Sequence, residues 1–116
     1  MKKTLLPLAL VAFAAIAPSA SAAKSCTAPA YPTPNGSFSS LKVTKTTCAK
    51  GSKLATDFHA CRTKTGPAGR CVRKVSGYAC REQRTTVGTQ INAKVICAKG
   101  KKKKRKVVSF SYQQTG

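Results

Sequence analysis

Two side chains of this sequence, His59 and Glu82, could work together as an acid and a base. They are the only histidine and the only glutamate of the chain, and Arg62, Arg81 and Arg84 could steady a phosphate group during proton transfer. The same arginines also offer plain surface ion pairs, and we predict that His59 and Glu82 both lie on the surface. Because catalysis needs both groups within reach of one substrate, and the spacing gives no sign of that, we predict that neither residue is catalytic and that the protein is not an enzyme.

Six cysteines could form disulfides, hold a metal ion or supply a nucleophile. An even number in a small exported chain predicts three disulfides, since so small a core is marginal and an oxidising compartment lets crosslinks persist. The sequence has no C-x-x-C pair, the spacing that zinc sites commonly use, so we predict no metal and no other cofactor. The predicted disulfide cysteines are Cys26, Cys48, Cys61, Cys71, Cys80 and Cys97.

One disulfide can be assigned from the sequence. Residues 65–69, TGPAG, form a turn-rich break, so Cys61 and Cys71 on either side of it are predicted to close a short loop. The other four cysteines allow three pairings, and sequence does not choose between them. The pairing we favour joins Cys48 to Cys80 and Cys26 to Cys97.

The amino-terminal 22 residues have the features of a secretory signal peptide. Lys2 and Lys3 precede an apolar run over 5–17, and Ala20-Ser21-Ala22 supplies a cleavage motif of small residues. The apolar run is too short for a relaxed membrane span. We therefore predict a signal peptide over 1–22, and a mature protein that is secreted, periplasmic or associated with the cell envelope.

The mature chain carries an extreme positive charge. Removing Lys2 and Lys3 from the 22 basic residues leaves 20, and Asp57 and Glu82 bring the net charge to +18 with His59 neutral. A field of this size favours contact with polyanions, whereas charges of both signs would serve solubility better. The predicted partner is an anionic polymer or surface (a wall polymer, acidic lipid headgroups or nucleic acid), bound by a monomer.

The mature chain is predicted to begin with a proline-rich extended arm over 23–37. The prolines of this arm exclude a helix and a central strand. The remainder, 38–116, is predicted to form one small disulfide-bonded domain. It opens with a strand over 38–46 and a helix over 48–62. The helix carries its apolar residues along one stripe, with Lys50 and Lys53 facing singly into solvent on the outer side.

Two further strands, 89–98 and 106–114, alternate apolar and polar residues, and Tyr78 and Cys80 alternate in the same way. The segment KGKKKKRK connects strands 89–98 and 106–114, and its Gly100 marks a turn. It is therefore predicted to be the tip of a β-hairpin. Its charges therefore extend into solvent. The predicted polyanion-binding residues are Lys99, Lys101, Lys102, Lys103, Lys104, Arg105 and Lys106.

Together the elements predict an α+β fold, in which one helix packs on a small antiparallel sheet with a basic carboxy-terminal β-hairpin and stabilising disulfides. Strand parity places Tyr78, Phe110 and Tyr112 on the same side as the cysteines. We therefore expect these aromatic rings in the core rather than exposed for stacking on nucleic-acid bases.

Four short motifs, VTKTTCAKG at 43–51, GYAC at 77–80, AKVIC at 93–97 and VSF at 108–110, carry a resemblance. In this order they resemble a group of small exported, cysteine-containing proteins common in actinobacteria. The resemblance covers roughly 41–112 and implies export, a cysteine-led helix and a final cysteine strand with a basic turn. The group has no assigned activity, so the resemblance implies no catalytic residue.

The sequence therefore predicts an exported, strongly basic, non-catalytic protein that binds an anionic partner through a basic hairpin tip. Alternatives are a membrane-active antimicrobial protein, an inhibitor or adhesion module using the disulfide-braced loop 62–70, and a small secreted ribonuclease built on His59 and Glu82. The run KKKKRKV at 101–107 also resembles a nuclear-localisation signal, but a signal peptide argues against that destination.

Overall fold

A computed structural model describes residues 22–116, so all but the last residue of the predicted signal peptide lies outside the described part. One helix packs on a five-stranded antiparallel sheet of order β1-β2-β5-β4-β3, which confirms the α+β prediction. The elements are β1 (Lys24–Ser25), β2 (Gly36–Thr44), α1 (Cys48–Arg62), β3 (Ala79–Val87), β4 (Gln90–Lys99) and β5 (Lys106–Thr115).

Helix α1 has the predicted bounds, and its sequence explains both its start and its position. The Thr47 hydroxyl caps the first turn by accepting a hydrogen bond of 3.1 Å from the Lys50 amide, which satisfies one of the free amides of a helix start. Gly51 lets the helix approach the sheet closely. A Cβ at that position would lie 2.6 Å from Val43 Cγ1.

The core lies between α1 and one face of the sheet. Phe58 of the helix packs edge-on against Phe110, with 5.7 Å between ring centroids, and Phe38 contacts the same ring from β2. Tyr78, Phe110 and Tyr112 are buried, as their strand parity predicts. The opposite face of the sheet is polar, so its strands show the alternation expected of a sheet covered on one side.

The amino-terminal arm is attached to the domain at several points rather than at Cys26 alone. Lys24–Ser25 pairs with β2 as the short strand β1, and the Cys26 amide donates to Leu41 O at 2.8 Å. Further along, Tyr31 packs its ring against Phe38 with centroids 4.8 Å apart. The proline-rich segment thus contributes an aromatic side chain to the edge of the core.

Three disulfides crosslink the described chain, and no cysteine in it is free. Cys61–Cys71 confirms the predicted loop closure. The favoured pairing of the other four was wrong: the observed bonds are Cys26–Cys48 and Cys80–Cys97. Cys80 and Cys97 lie directly opposite each other on β3 and β4, and Cys26 follows β1, which places it beside the start of α1. Both pairings therefore depend on strand register.

Candidate functional site

The predicted hairpin is present, and its tip carries the densest charge of the described chain. We call residues 99–106 the basic tip. Its Lys101–Lys106 portion is exposed throughout and contains a 3₁₀ turn at Lys102–Lys104. The Lys104 amide donates to Lys101 O at 3.0 Å and the Arg105 amide to Lys102 O at 3.1 Å, so internal hydrogen bonds hold the backbone of the tip.

A residue outside the hairpin supports the basic tip. Lys45 follows β2 in a left-handed conformation, with φ of 61°, and its Nζ donates to Lys103 O. The contact spans 58 residues of sequence, so sequence reasoning did not include Lys45 in the site. Its ammonium group adds one more positive charge to the tip.

Two lysines of the basic tip face each other across the hairpin. Lys99 and Lys106 are paired residues of β4 and β5, and like charges in directly opposed positions of an antiparallel pair repel and destabilise it. The five basic residues between them add to the same field. A bound anion would relieve this repulsion.

The basic tip has no carboxylate partner in the described chain. Residues 22–116 contain two salt bridges, Lys53–Asp57 at 2.8 Å and Arg84–Glu82 at 2.6 Å. Both acidic side chains are thus already paired away from the tip. Within the described residues no salt bridge neutralises the positive charge of the tip.

The structure corrects the expectation that Glu82 takes part in a surface ion pair. The side chains of Glu82 and Arg84 are 7% and 8% exposed. Glu82 Oε2 accepts hydrogen bonds of 2.6 Å from both Arg84 Nε and the Tyr112 hydroxyl. Arg84 Nη2 also donates to Gly69 O at 2.8 Å. Burial raises the pKa of the Tyr112 hydroxyl, and its hydrogen bond to Glu82 raises it further.

Arg62 is fully buried, which sequence reasoning also missed. Its guanidinium lies 4.3 Å from the ring centroid of Tyr112 and donates to Pro67 O at 2.8 Å and Gln114 Oε1 at 2.6 Å. Two features of the sequence indicate that Arg62 and Gln114 face the core. Arg62 is four residues after Phe58 on the buried helix stripe, and Gln114 shares the parity of Tyr112 on β5.

His59 is buried as well, contrary to its predicted surface position. Its Nδ1 has no hydrogen-bond partner in the described part, and burial, followed by the charge of Arg62, lowers its pKa. The ring packs on Tyr31 at 4.7 Å. Tyr31 in turn accepts a hydrogen bond from Arg62, whereas Glu82 is bonded to Arg84 and Tyr112. His59 and Glu82 thus have different partners, and no hydrogen bond joins them within residues 22–116.

Lys50 and Lys53 are exposed, as expected, but they are not isolated from the hairpin. They line one cavity together with Lys99 and Lys106 of the basic tip. The helix and the hairpin therefore present their lysines to a common space. Sequence periodicity places Lys50 and Lys53 on the outer side of α1 but says nothing of the hairpin beside them.

Comparison of the chain with protein-family models, curated proteins and solved structures gives no significant match. Within residues 22–116 no group of three or more histidine, cysteine or acidic side chains is arranged to hold a metal ion. No helix of the same part is long and apolar enough to cross a membrane. The three disulfides are compatible with an oxidising environment outside the cytoplasm.

Proposed function

We propose that this protein is exported and binds an anionic polymer of the cell envelope, without catalysis, through the basic tip. The observation that carries the proposal is the concentration of seven cationic side chains on one hairpin end, none of them paired with either described carboxylate. Dense charge of one sign raises the local concentration of polyanions and speeds their association.

The ordered backbone of the basic tip supports this proposal. Hydrogen bonds within the turn and from Lys45 hold the tip in one shape, so less conformational entropy is lost when a polymer binds. In the free protein, repulsion among the crowded charges of the basic tip is destabilising. An anionic partner would reduce this repulsion, which no carboxylate of residues 22–116 does through a salt bridge.

The arrangement of His59 and Glu82 supports a non-catalytic role. Glu82 is held by Arg84 and Tyr112, whereas the His59 ring packs against Tyr31 and Phe38. A ribonuclease built on these residues would need both at one phosphate. The larger apolar residues of α1, Leu54 and Phe58, are buried in the core, which disfavours a membrane-active helix.

The protein-binding alternative is favoured by one observation. Val72 is 93% exposed and follows Cys71, whose disulfide braces the loop. An exposed apolar side chain on a braced loop suits a protein partner, and it lies just beyond the predicted loop 62–70. Binding to a protein that persists at high salt and is lost in Val72→Ser would favour this function over polyanion binding.

The proposed function is tested by binding of the purified mature protein to teichoic acid-type wall polymer, duplex DNA and anionic lipid vesicles at several salt concentrations. We expect saturable binding to the wall polymer, and affinity that falls steeply with salt because counterions are released. Absence of binding to all three at low salt would refute the proposal. Tighter binding to DNA or to vesicles than to the wall polymer would indicate that the partner belongs to that class instead.

A further inference from the structure

A cavity of about 220 Å³ opens at the base of the basic tip, between α1 and the ends of β4 and β5. Four lysines from three elements surround it. Thr46 and Ser76 add two hydroxyl groups to the lining. The lining lysines are Lys50 and Lys53 of α1, Lys99 of β4 and Lys106 of β5.

Two of these lysines are held in place by neighbouring groups. Lys99 Nζ lies 5.5 Å from the ring centroid of Tyr78, in the range of a cation–π contact. Lys53 Nζ is 2.8 Å from Asp57 Oδ2, and Ser76 Oγ donates to the same oxygen at 3.4 Å. The cavity is therefore partly formed before any ligand arrives.

The other two lysines have no such partner. The ammonium groups of Lys50 and Lys106 make no hydrogen bond within residues 22–116, and both side chains are exposed. Buried Leu54 and Tyr78 form the apolar floor of the cavity. A concave site with low-dielectric walls focuses the field of its charges, so this cavity attracts a compact anion more strongly than a flat surface with the same lysines.

We propose that the cavity binds a phosphomonoester group, carried at the end or on a side group of an anionic polymer. A phosphomonoester bears about −1.5 to −2 charge at neutral pH and three strong acceptor oxygens. The ammonium groups of Lys50, Lys99 and Lys106 and the Thr46 hydroxyl can meet that demand, since Lys53 and Ser76 already contact Asp57. A phosphodiester in a polymer backbone carries a single charge and is linked to the chain through two of its oxygens. Such a group suits the open surface of the basic tip rather than the cavity. The inference rests on the proposed function and identifies which group of the polymer is recognised.

The test uses NMR titration of the mature protein with methyl phosphate and dimethyl phosphate at fixed ionic strength and neutral pH. We expect saturable shifts at the cavity residues with methyl phosphate, and affinity for dimethyl phosphate at least tenfold weaker. Equal affinity for the two probes, or no saturable binding of methyl phosphate, would overturn the inference.

Two double variants of equal charge locate the site. Lys50→Gln/Lys106→Gln removes two cavity charges that make no contact needed for folding, and Lys101→Gln/Lys103→Gln removes two from the part of the basic tip that does not line the cavity. The first should weaken methyl phosphate binding at least tenfold and the second by less than twofold. Equal losses would show that diffuse charge binds the probe and would refute the cavity site. Near-UV circular dichroism and thermal melting of both variants confirm that each is folded.

Binding of the wall polymer, duplex DNA and anionic vesicles to the same proteins separates the two proposals. The proposed function fails if the parent binds none of the three at low salt, whatever methyl phosphate does. The cavity inference fails if the parent binds the wall polymer while methyl phosphate binding is absent or insensitive to Lys50→Gln/Lys106→Gln.

Discussion

Glu82 Oε2 and Arg84 Nε lie 2.6 Å apart beneath the segment 67–69, with both side chains less than a tenth exposed. Two residues of one edge strand thus form a buried ion pair in a protein whose other described ion pair, Lys53–Asp57, is on the surface. Burial decides what each pair contributes to stability, because a buried charge that loses its partner retains its full desolvation cost.

Glu82→Gln should therefore lower the free energy of unfolding by about 3 kcal/mol, since it leaves the Arg84 guanidinium buried without a counter-charge. Urea denaturation measures the change. The matched control is Asp57→Asn, which breaks the exposed pair and should cost less than about 0.5 kcal/mol. Equal effects of the two changes would contradict the buried-pair interpretation.

Acidification should destabilise the protein through His59. Burial and the charge of Arg62 lower the pKa of His59 below its ordinary value of 6.5, so the unfolded chain takes up a proton first as the pH falls. The stability from neutral His59 is complete above pH 6.5 and is lost as the pH falls towards the lowered pKa. Urea midpoints between pH 7.5 and pH 5 measure this slope. In His59→Gln it should flatten, and an unchanged slope would assign the effect to other groups.

Replacing three basic residues of the tip, Lys101, Lys103 and Lys104, with serine should reduce the salt dependence of duplex DNA binding. Each phosphate contact contributes about −0.9 to the slope of log K against log salt, so the slope should shrink by about 2 to 3. Stability should change by less than roughly 0.5 kcal/mol, as for other surface changes. The measurement is fluorescence anisotropy at several salt concentrations.

A control with the same loss of charge replaces Arg70, Arg73 and Lys74, which lie exposed on the loop after α1. We expect a smaller change in slope there. If both triple variants bind DNA alike, net charge rather than the basic tip determines binding.

Lys102→Gly should stabilise the hairpin by about 0.5 kcal/mol. Lys102 has a φ of 50°, a left-handed conformation that costs a residue with a Cβ about 1–2 kcal/mol, and the greater freedom of glycine in the unfolded chain offsets part of that gain. Lys104→Gly removes the same charge where φ is not positive, and should be neutral or destabilising in a thermal melt. Stabilisation by both changes would instead indicate relief of charge repulsion.

Mass spectrometry of secreted protein should give an amino terminus at Ala23 and a mass with all six cysteines oxidised. Peptide mapping without reduction should recover Cys26–Cys48, Cys61–Cys71 and Cys80–Cys97 as linked pairs. Alkylation of the native protein would reveal a free thiol and contradict this framework.

Much of the fold could be predicted because its signals are local. The helix over 48–62 follows from one apolar stripe and a threonine cap, and β4 and β5 follow from strict alternation. Cys61–Cys71 spans a short turn-rich loop, so proximity in sequence was sufficient. The exposure of the basic tip followed from the same local pattern, since the tip of a hairpin cannot bury seven charges.

The sequence by itself thus determined the helix, the strands β2, β4 and β5, the α+β class and the position of the densest charge. Only the tertiary structure decided which distant residues meet. His59, Arg62 and Glu82 carry groups that are normally exposed, and they are buried because remote residues supply contacts or hydrogen bonds, Tyr31 from the amino-terminal arm and Tyr112 and Gln114 from β5. The pairing of Cys80 with Cys97, and the meeting of Lys50 with Lys106 at one cavity, likewise depend on strand register and helix packing, which local periodicity does not encode.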